Sequence, residues 1–249
     1  MSSYEFIQVE NKDNGVTIIT LNRPEKKNAL NKKLIEELQD AFMTFDADND
    51  RLVAVLTGAG NDAFSAGADL NDMPELWRGI PNVGSQTDKP VIAAVSGWCV
   101  GGGLIITMMS DLAVAAENAR FSYPEGRLGL TQGMIAGLAG RIPHKAAMEI
   151  MLLGKPMSAQ RAYEAGLINQ VVPDGQHVEA ALDMARHMAT LAPMVLKTLK
   201  RFVSTVVPEG PSEQFVRTRY ELDCIADSED FAEGISAFKS KRAPVFAGK

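Results

Sequence analysis

Cysteine occurs only twice and histidine only three times in these 249 residues, and positive charge does not predominate: the net charge is −6. Cys99 and Cys224 cannot build a disulfide framework, and both lie in contexts that read as buried, not ligand-like. His144 opens a helical segment, while His177 and His187 fall within one of polar character. None has a serine or cysteine motif beside it, which argues against a hydrolytic triad. Cys/His or Glu/His spacings of a metal site are absent as well. An acidic balance argues against nucleic-acid binding, so an anionic substrate needs a local basic patch. No apolar run reaches the roughly 18 residues of a membrane helix. Met1 to Glu5 lacks the basic start and apolar core of a secretory signal, so a cytoplasmic protein is expected.

What the chain has is an apolar content of 46%, enough for a sizeable core, arranged in two styles. The first half alternates. Val16–Leu21, Leu52–Thr57, Val91–Val95 and Leu112–Ala115 are short apolar runs that read as strands. Between them, Lys33–Phe45 places Leu34, Leu38, Phe42 and Phe45 at helical spacing, and Gly101–Ser110 reads as a second helix. Such alternation predicts crossover units with helices covering a largely parallel sheet. Past about Ile135 the pattern predicts helices alone: Lys145–Leu153, one opened by Ser158 as N-cap, then His177–Val206 divided at Pro193. Pro211–Ala226 and Phe231–Lys239 complete the tail.

Two glycine-containing turns stand out, Phe64-Ser65-Ala66-Gly67-Ala68-Asp69 and Gly97 to Ile105. Glycine tolerates positive φ and close approach, so such turns can aim bare N–H groups into a cavity. Two N–H groups converging on one oxygen form an oxyanion hole. The Gly101-Gly102-Gly103 run is no phosphate loop, since no Gly-Lys-Ser/Thr follows it. Among carboxylates, Glu125 lies in a loop-like stretch between Pro124 and Gly126. Glu149 reads as a helix-surface ion-pair partner, and Asp69 and Asp111 read as braces of adjoining backbone.

Taken in order, Leu21-Asn22-Arg23-Pro24, Asn28-Ala29-Leu30, the two glycine turns, Pro90–Val95 and Phe121–Leu128 resemble the crotonase superfamily of enoyl-CoA hydratases and isomerases. Ala162–Ile168, Glu233–Phe238 and Lys241–Phe246 extend the likeness over nearly the whole chain. The resemblance implies an α/β fold, a spiral of ββα turns over residues 1–190 that binds a CoA thioester. A helical C-terminal trimerisation region, 191–249, would follow and help cover the active site. The implied assembly is a homotrimer or a dimer of trimers, with no nucleic acid, membrane or separate cofactor involved, coenzyme A being part of the substrate.

Carried onto this sequence, the enolate oxygen would be held by the N–H groups of Ala68 and Gly102, between the flanking Gly67, Asp69 and Gly101. Coenzyme A would lie near Arg23, Lys26 and Lys27, with Ala66 close to the adenine. Lys239, Lys241 and Arg242 would approach phosphate too, from this subunit or a neighbouring one. Hydratases of the family carry two glutamates; here the second is Glu125 and the first is replaced by Ile105. Other branches place an acid eight positions beyond Glu125, where this chain has Gly133. The segment 74–89, which helps wall the acyl pocket, is short. A single carboxylate suffices to move a double bond, because it can take a proton from one carbon and return it to another. The implied activity is therefore isomerisation of a 3-enoyl-CoA to a 2-enoyl-CoA by Glu125. The alternatives are 2-enoyl-CoA hydration, C–C cleavage of a cyclic acyl-CoA, or a non-catalytic homologue binding CoA thioesters or RNA.

Overall fold

β-branched and small apolar residues set a central sheet, described in a computed structural model that covers residues 4–207 and 209–249. The chain starts with β1 (Ile7–Asn11), β2 (Val16–Leu21) and helix α1 (Lys32–Ala47). It then lays down strands in pairs, β3 (Val53–Gly58) with β4 (Ala63–Ser65), and β5 (Val91–Val95) with β6 (Trp98–Val100). Helix α2 (Gly102–Met109) leads to a third pair, β7 (Leu112–Ala116) and β8 (Arg120–Ser122). Next come α3 (Glu125–Leu128), α4 (His144–Leu153), β9 (Met157–Ser158), α5 (Ala159–Glu164) and β10 (Gln170–Val172). Four helices end the chain: α6 (His177–Ala189), α7 (Pro193–Val206), α8 (Pro211–Ala226) and α9 (Glu229–Lys239).

The first strand of each pair joins a six-stranded sheet, β1-β2-β3-β5-β7-β10, parallel except for β1. The second strand of each pair joins a smaller sheet, β4-β6-β8-β9. Each circuit of the chain therefore adds one strand to each sheet, which makes the fold a spiral.

Parallel strands must be covered on both faces, and the alternation of side chains sorts them accordingly. Ala54, Leu56, Val91, Ala93 and Val95 face one core, which they share with Leu34, Leu38 and Phe42 of α1. Val53, Val55, Ile92, Ala94 and Val114 face the other, closed by Ala181, Leu182 and Ala185 of α6. Lys89 is buried between these layers and donates to the carbonyls of Phe45 and Asp48, so a cation terminates α1 where its dipole is negative.

The structure corrects three expectations. Helices do not stand alone past Ile135, because β9 and β10 complete the two sheets; at two and three residues they are too short to show a period. Cys224 is exposed, whereas Cys99 is buried, its thiol 3.3 Å from Thr107 Oγ1 and pushed up by burial to about 12. Glu125 opens a short helix instead of sitting in a loop. Other expectations stand: Pro193 starts α7, Ser158 accepts from Arg161 N–H as N-cap, and Glu149 pairs with Arg161 at 3.5 Å. Among the described residues no helix is long and apolar enough to cross a membrane.

Candidate active site

Three adjacent parallel strands of the smaller sheet each release the chain toward one place. β4 leads to Gly67 and Ala68, β6 to Gly101 and Gly102, and β8 to Glu125. Neighbouring strands lie about 4.8 Å apart, so the three segments emerge as a row.

At the first position, backbone bonding leaves one donor over. Ala66 N–H donates to Lys27 O at 2.9 Å, Gly67 N–H to Ser65 Oγ at 3.1 Å, and Asp69 N–H to Leu30 O at 2.8 Å. Ala68 N–H, between them, has no acceptor among the described residues. Leu30 N–H in turn donates to Gly67 O, which fixes the peptide that carries the free group.

At the second position Gly101 N–H is used, donating to Ser122 O at 2.9 Å across β6 and β8. Gly102 is the first residue of α2, so its N–H has no partner within the helix and none elsewhere among the described residues. The positive end of the α2 dipole adds to its pull on an anion.

The turns touch, and glycine is what lets them. A methyl group placed on Gly67, where φ is 90°, would stand 3.0 Å from Val100 O and 3.5 Å from Gly102 N. One placed on Gly101, where φ is 50°, would stand 2.6 Å from Glu125 Oε1 and 3.9 Å from Gly67 Cα. The carboxyl of Glu125 therefore lies directly against the turn that supplies Gly102. A methyl on Gly102 would meet Leu30 at 2.8 Å and Leu76 at 3.1 Å, so apolar side chains back the donor.

Glu125 is partly buried, and its Oε2 is enclosed without any hydrogen-bond partner. Burial penalises the charged form and pushes its pKa up to about 7, against a smaller downward pull from its own backbone N–H. An unpaired buried carboxyl is costly, and such groups cluster where protons are moved. Ile105 is 2% exposed within the main apolar cluster, so no second acid stands at that position of α2.

The residues expected near coenzyme A divide. Arg23 is largely buried, donating to Ala29 O at 2.6 Å and Asp69 Oδ2 at 3.2 Å, with its guanidinium over the Phe6 ring. It braces the fold beside the Gly67–Ala68 turn. Asp69 is likewise engaged, also accepting from Asn71 N–H, which holds its pKa below the usual carboxylate value. Lys26 and Lys27 are exposed at the 24–27 turn, and the Lys27 carbonyl joins them to Ala66. Lys241 is exposed on a tail, its N–H donating to Phe238 O of α9; the structure does not bring it to the others. Gly133 is at the left-handed start of a turn, with no acid.

Sequence reading passed over Asn28 as a structural part. It is fully buried at φ 53°, accepts from Arg23 N–H, and donates to Ala59 O and Ala63 O. An asparagine between two tight turns was its one signal, since asparagine tolerates the left-handed region. A separate cavity of about 730 Å³ lies at the far end of α2, lined by Met109, Asp111, Leu199, Lys200 and Val203 among others. None of the expected site residues lines it.

Comparison with known proteins places this geometry. The family described as enoyl-CoA hydratase/isomerase matches residues 11–249. A carnitinyl-CoA dehydratase of Salmonella typhi is 34% identical over 247 residues, 93% of this chain and 94% of its own. A 2,3-dehydroadipyl-CoA hydratase of Escherichia coli (strain K12) is 35% identical over 251 residues, 94% of this chain and 96% of its own. In structure, the chain is similar to a carnitinyl-CoA hydratase from Mycobacterium avium, with a TM-score of 0.77 and 36% identity over 99% of this chain and 100% of that one. A family match over residues 11–249, with relatives at 34–36% identity over nearly the whole chain, fixes the ancestry: this chain is an enzyme of the enoyl-CoA hydratase/isomerase family, with the crotonase fold.

Proposed function

We propose that the enzyme isomerises a 3-enoyl-CoA to a 2-enoyl-CoA with Glu125 as its single acid/base. The observation that carries this reading is a carboxyl whose buried Oε2 has no partner, set against the turn of two free N–H groups, with Ile105 where a second acid would stand. Glu125 as carboxylate takes a proton from C2 of the substrate. The C2–H electrons move into the thioester, and the oxygen becomes an enolate held by Ala68 and Gly102. Glu125, now a carboxylic acid, returns the proton at C4, and the double bond comes to rest conjugated at C2–C3. Each donor to the enolate is worth on the order of 3 kcal/mol of barrier.

Hydration or dehydration is the second reading, favoured by the names of the relatives at 34–35% identity. The two separate by products. Incubated with a 3-enoyl-CoA, the protein is expected to give a conjugated thioester of unchanged mass, and to leave a trans-2-enoyl-CoA largely unhydrated. Glu125→Gln should lower that conversion by roughly 10²–10⁴-fold. A gain of one water on the 2-enoyl substrate overturns the isomerase reading in favour of hydratase. Undiminished turnover by the glutamine variant removes Glu125 from either mechanism.

On the binding side, Lys26 and Lys27 are exposed cations placed for the phosphates of coenzyme A, the Lys27 carbonyl accepting from Ala66 N–H. Lys241 would join them only from another subunit. A homotrimer or dimer of trimers is supported by α7, where Val195, Leu199, Phe202 and Val206 form an exposed apolar stripe.

A further inference from the structure

Tyr123 takes no part in the chemistry described above, yet it is the residue immediately before the Pro124–Glu125 pair. It is 6% exposed and packs within the main apolar cluster. Its hydroxyl lies 2.8 Å from Thr131 Oγ1, and the same oxygen accepts Gly133 N–H at 3.0 Å. One hydroxyl pair thus spans the segment that carries the acid. Between its ends lie α3 and the left-handed Gly129 at φ 68°, with Gly133 at φ 79° just beyond. Gly126 to Gly129 are exposed, as are Thr131 and Gln132, so little packing holds this stretch in place. A further side-chain tie of this stretch is a long one, Gln132 Nε2 to Pro74 O at 3.4 Å.

We propose that Tyr123 is a positioning residue: through Thr131 it closes the 124–133 segment and keeps the Glu125 carboxyl dry against Gly101. The proposal rests on Glu125 being the acid/base. Tyr123 is the titratable neighbour whose own ionisation Glu125 disfavours, and Arg127, the cation on the same short helix, is exposed. With burial as the cause that raises the Glu125 pKa, opening the segment to water must lower it.

The test is a titration of the Glu125 carboxyl by carbon NMR in protein labelled at glutamate, with the signal assigned by its loss in Glu125→Gln. Tyr123→Phe and Thr131→Val should each move the midpoint down by about one pH unit, a tenfold change in proton affinity. On a 3-enoyl-CoA, each should lower kcat by about tenfold and leave KM nearly unchanged, as expected when orientation and not binding is lost. The double variant should be no worse than Thr131→Val, which already breaks the bond to Tyr123 together with the one from Gly133 N–H. Thr131→Ser, which keeps the hydroxyl, should restore midpoint and rate. Thr131 is exposed, so its variants carry the test even if Tyr123→Phe folds poorly. An unmoved midpoint in Thr131→Val, or additive losses in the double variant, overturns the proposal. The midpoint needs no turnover: a shifted midpoint without isomerisation refutes the isomerase reading alone, and isomerisation with a fixed midpoint refutes the role of Tyr123 alone.

Discussion

Glu125 ties rate and stability to the same proton. Its pKa is raised to about 7 from an ordinary carboxylate value, and as the proposed base it acts in the ionised form. The value of kcat/KM for the free enzyme should therefore rise with pH through about 7 and level off above it. A steady-state pH profile checks this, and an acid limb near pH 4–5 would contradict the burial argument. Folding is linked with the opposite sign. The folded state holds this proton more tightly than the unfolded chain, so stability is lost as pH rises from the ordinary carboxylate value through 7. Glu125→Gln should consequently melt higher than the parent above pH 7, by an amount that vanishes near pH 4. Gly101 makes a second claim at this scale. An alanine there meets both a positive φ and a carboxylate oxygen at 2.6 Å. Gly101→Ala should cost on the order of 10²-fold in kcat by displacing Glu125, read by steady-state kinetics alongside circular dichroism that shows the fold retained.

Among the elements, Asn28 ties together the chain that leads to the Gly67–Ala68 turn. Its side chain satisfies one N–H and two carbonyls from three chain segments. Asn28→Ala leaves these buried groups unpaired and should destabilise by about 2–4 kcal/mol, measured as a lowered urea midpoint. No periodicity could reveal this role, because the partners are brought together by topology. Longer elements were legible for the opposite reason. β3 and β5 are uninterrupted apolar runs that only a doubly covered strand requires, and α1 repeats its apolar face over four turns. β9 and β10 escaped because a strand of two or three residues is defined by its partner and not by its own pattern. The candidate site was readable to the extent that glycine reports backbone strain: Gly67 and Gly101 marked the turns. The contact between Glu125 and Gly101 was not, since nothing local connects them. Cys224 was misread because α8 is apolar on a side that the monomer does not cover.

At the scale of the whole molecule, that uncovered surface is extensive. No residue of α7 is buried, while Phe202 is 62% exposed and Val206 76%. Monomers rarely leave so continuous an apolar stripe in water. On the proposed trimer, Phe202→Asp should give a smaller species than the parent in sedimentation velocity, with Glu125 and its turn unchanged; an unaltered sedimentation coefficient would remove α7 from any interface.

The three strand ends in a row carry a consequence for how this enzyme's chemistry can diverge. In the proposed mechanism, stabilising an enolate falls to the chain that follows β4 and β6, while delivering or removing a proton falls to the chain that follows β8. The two tasks are encoded far apart in the gene yet spaced by the pitch of one sheet. Substitutions beyond β8 can therefore exchange one reaction for another while the machinery for activating the thioester is inherited intact. The fold thus behaves as a fixed holder with an interchangeable tool.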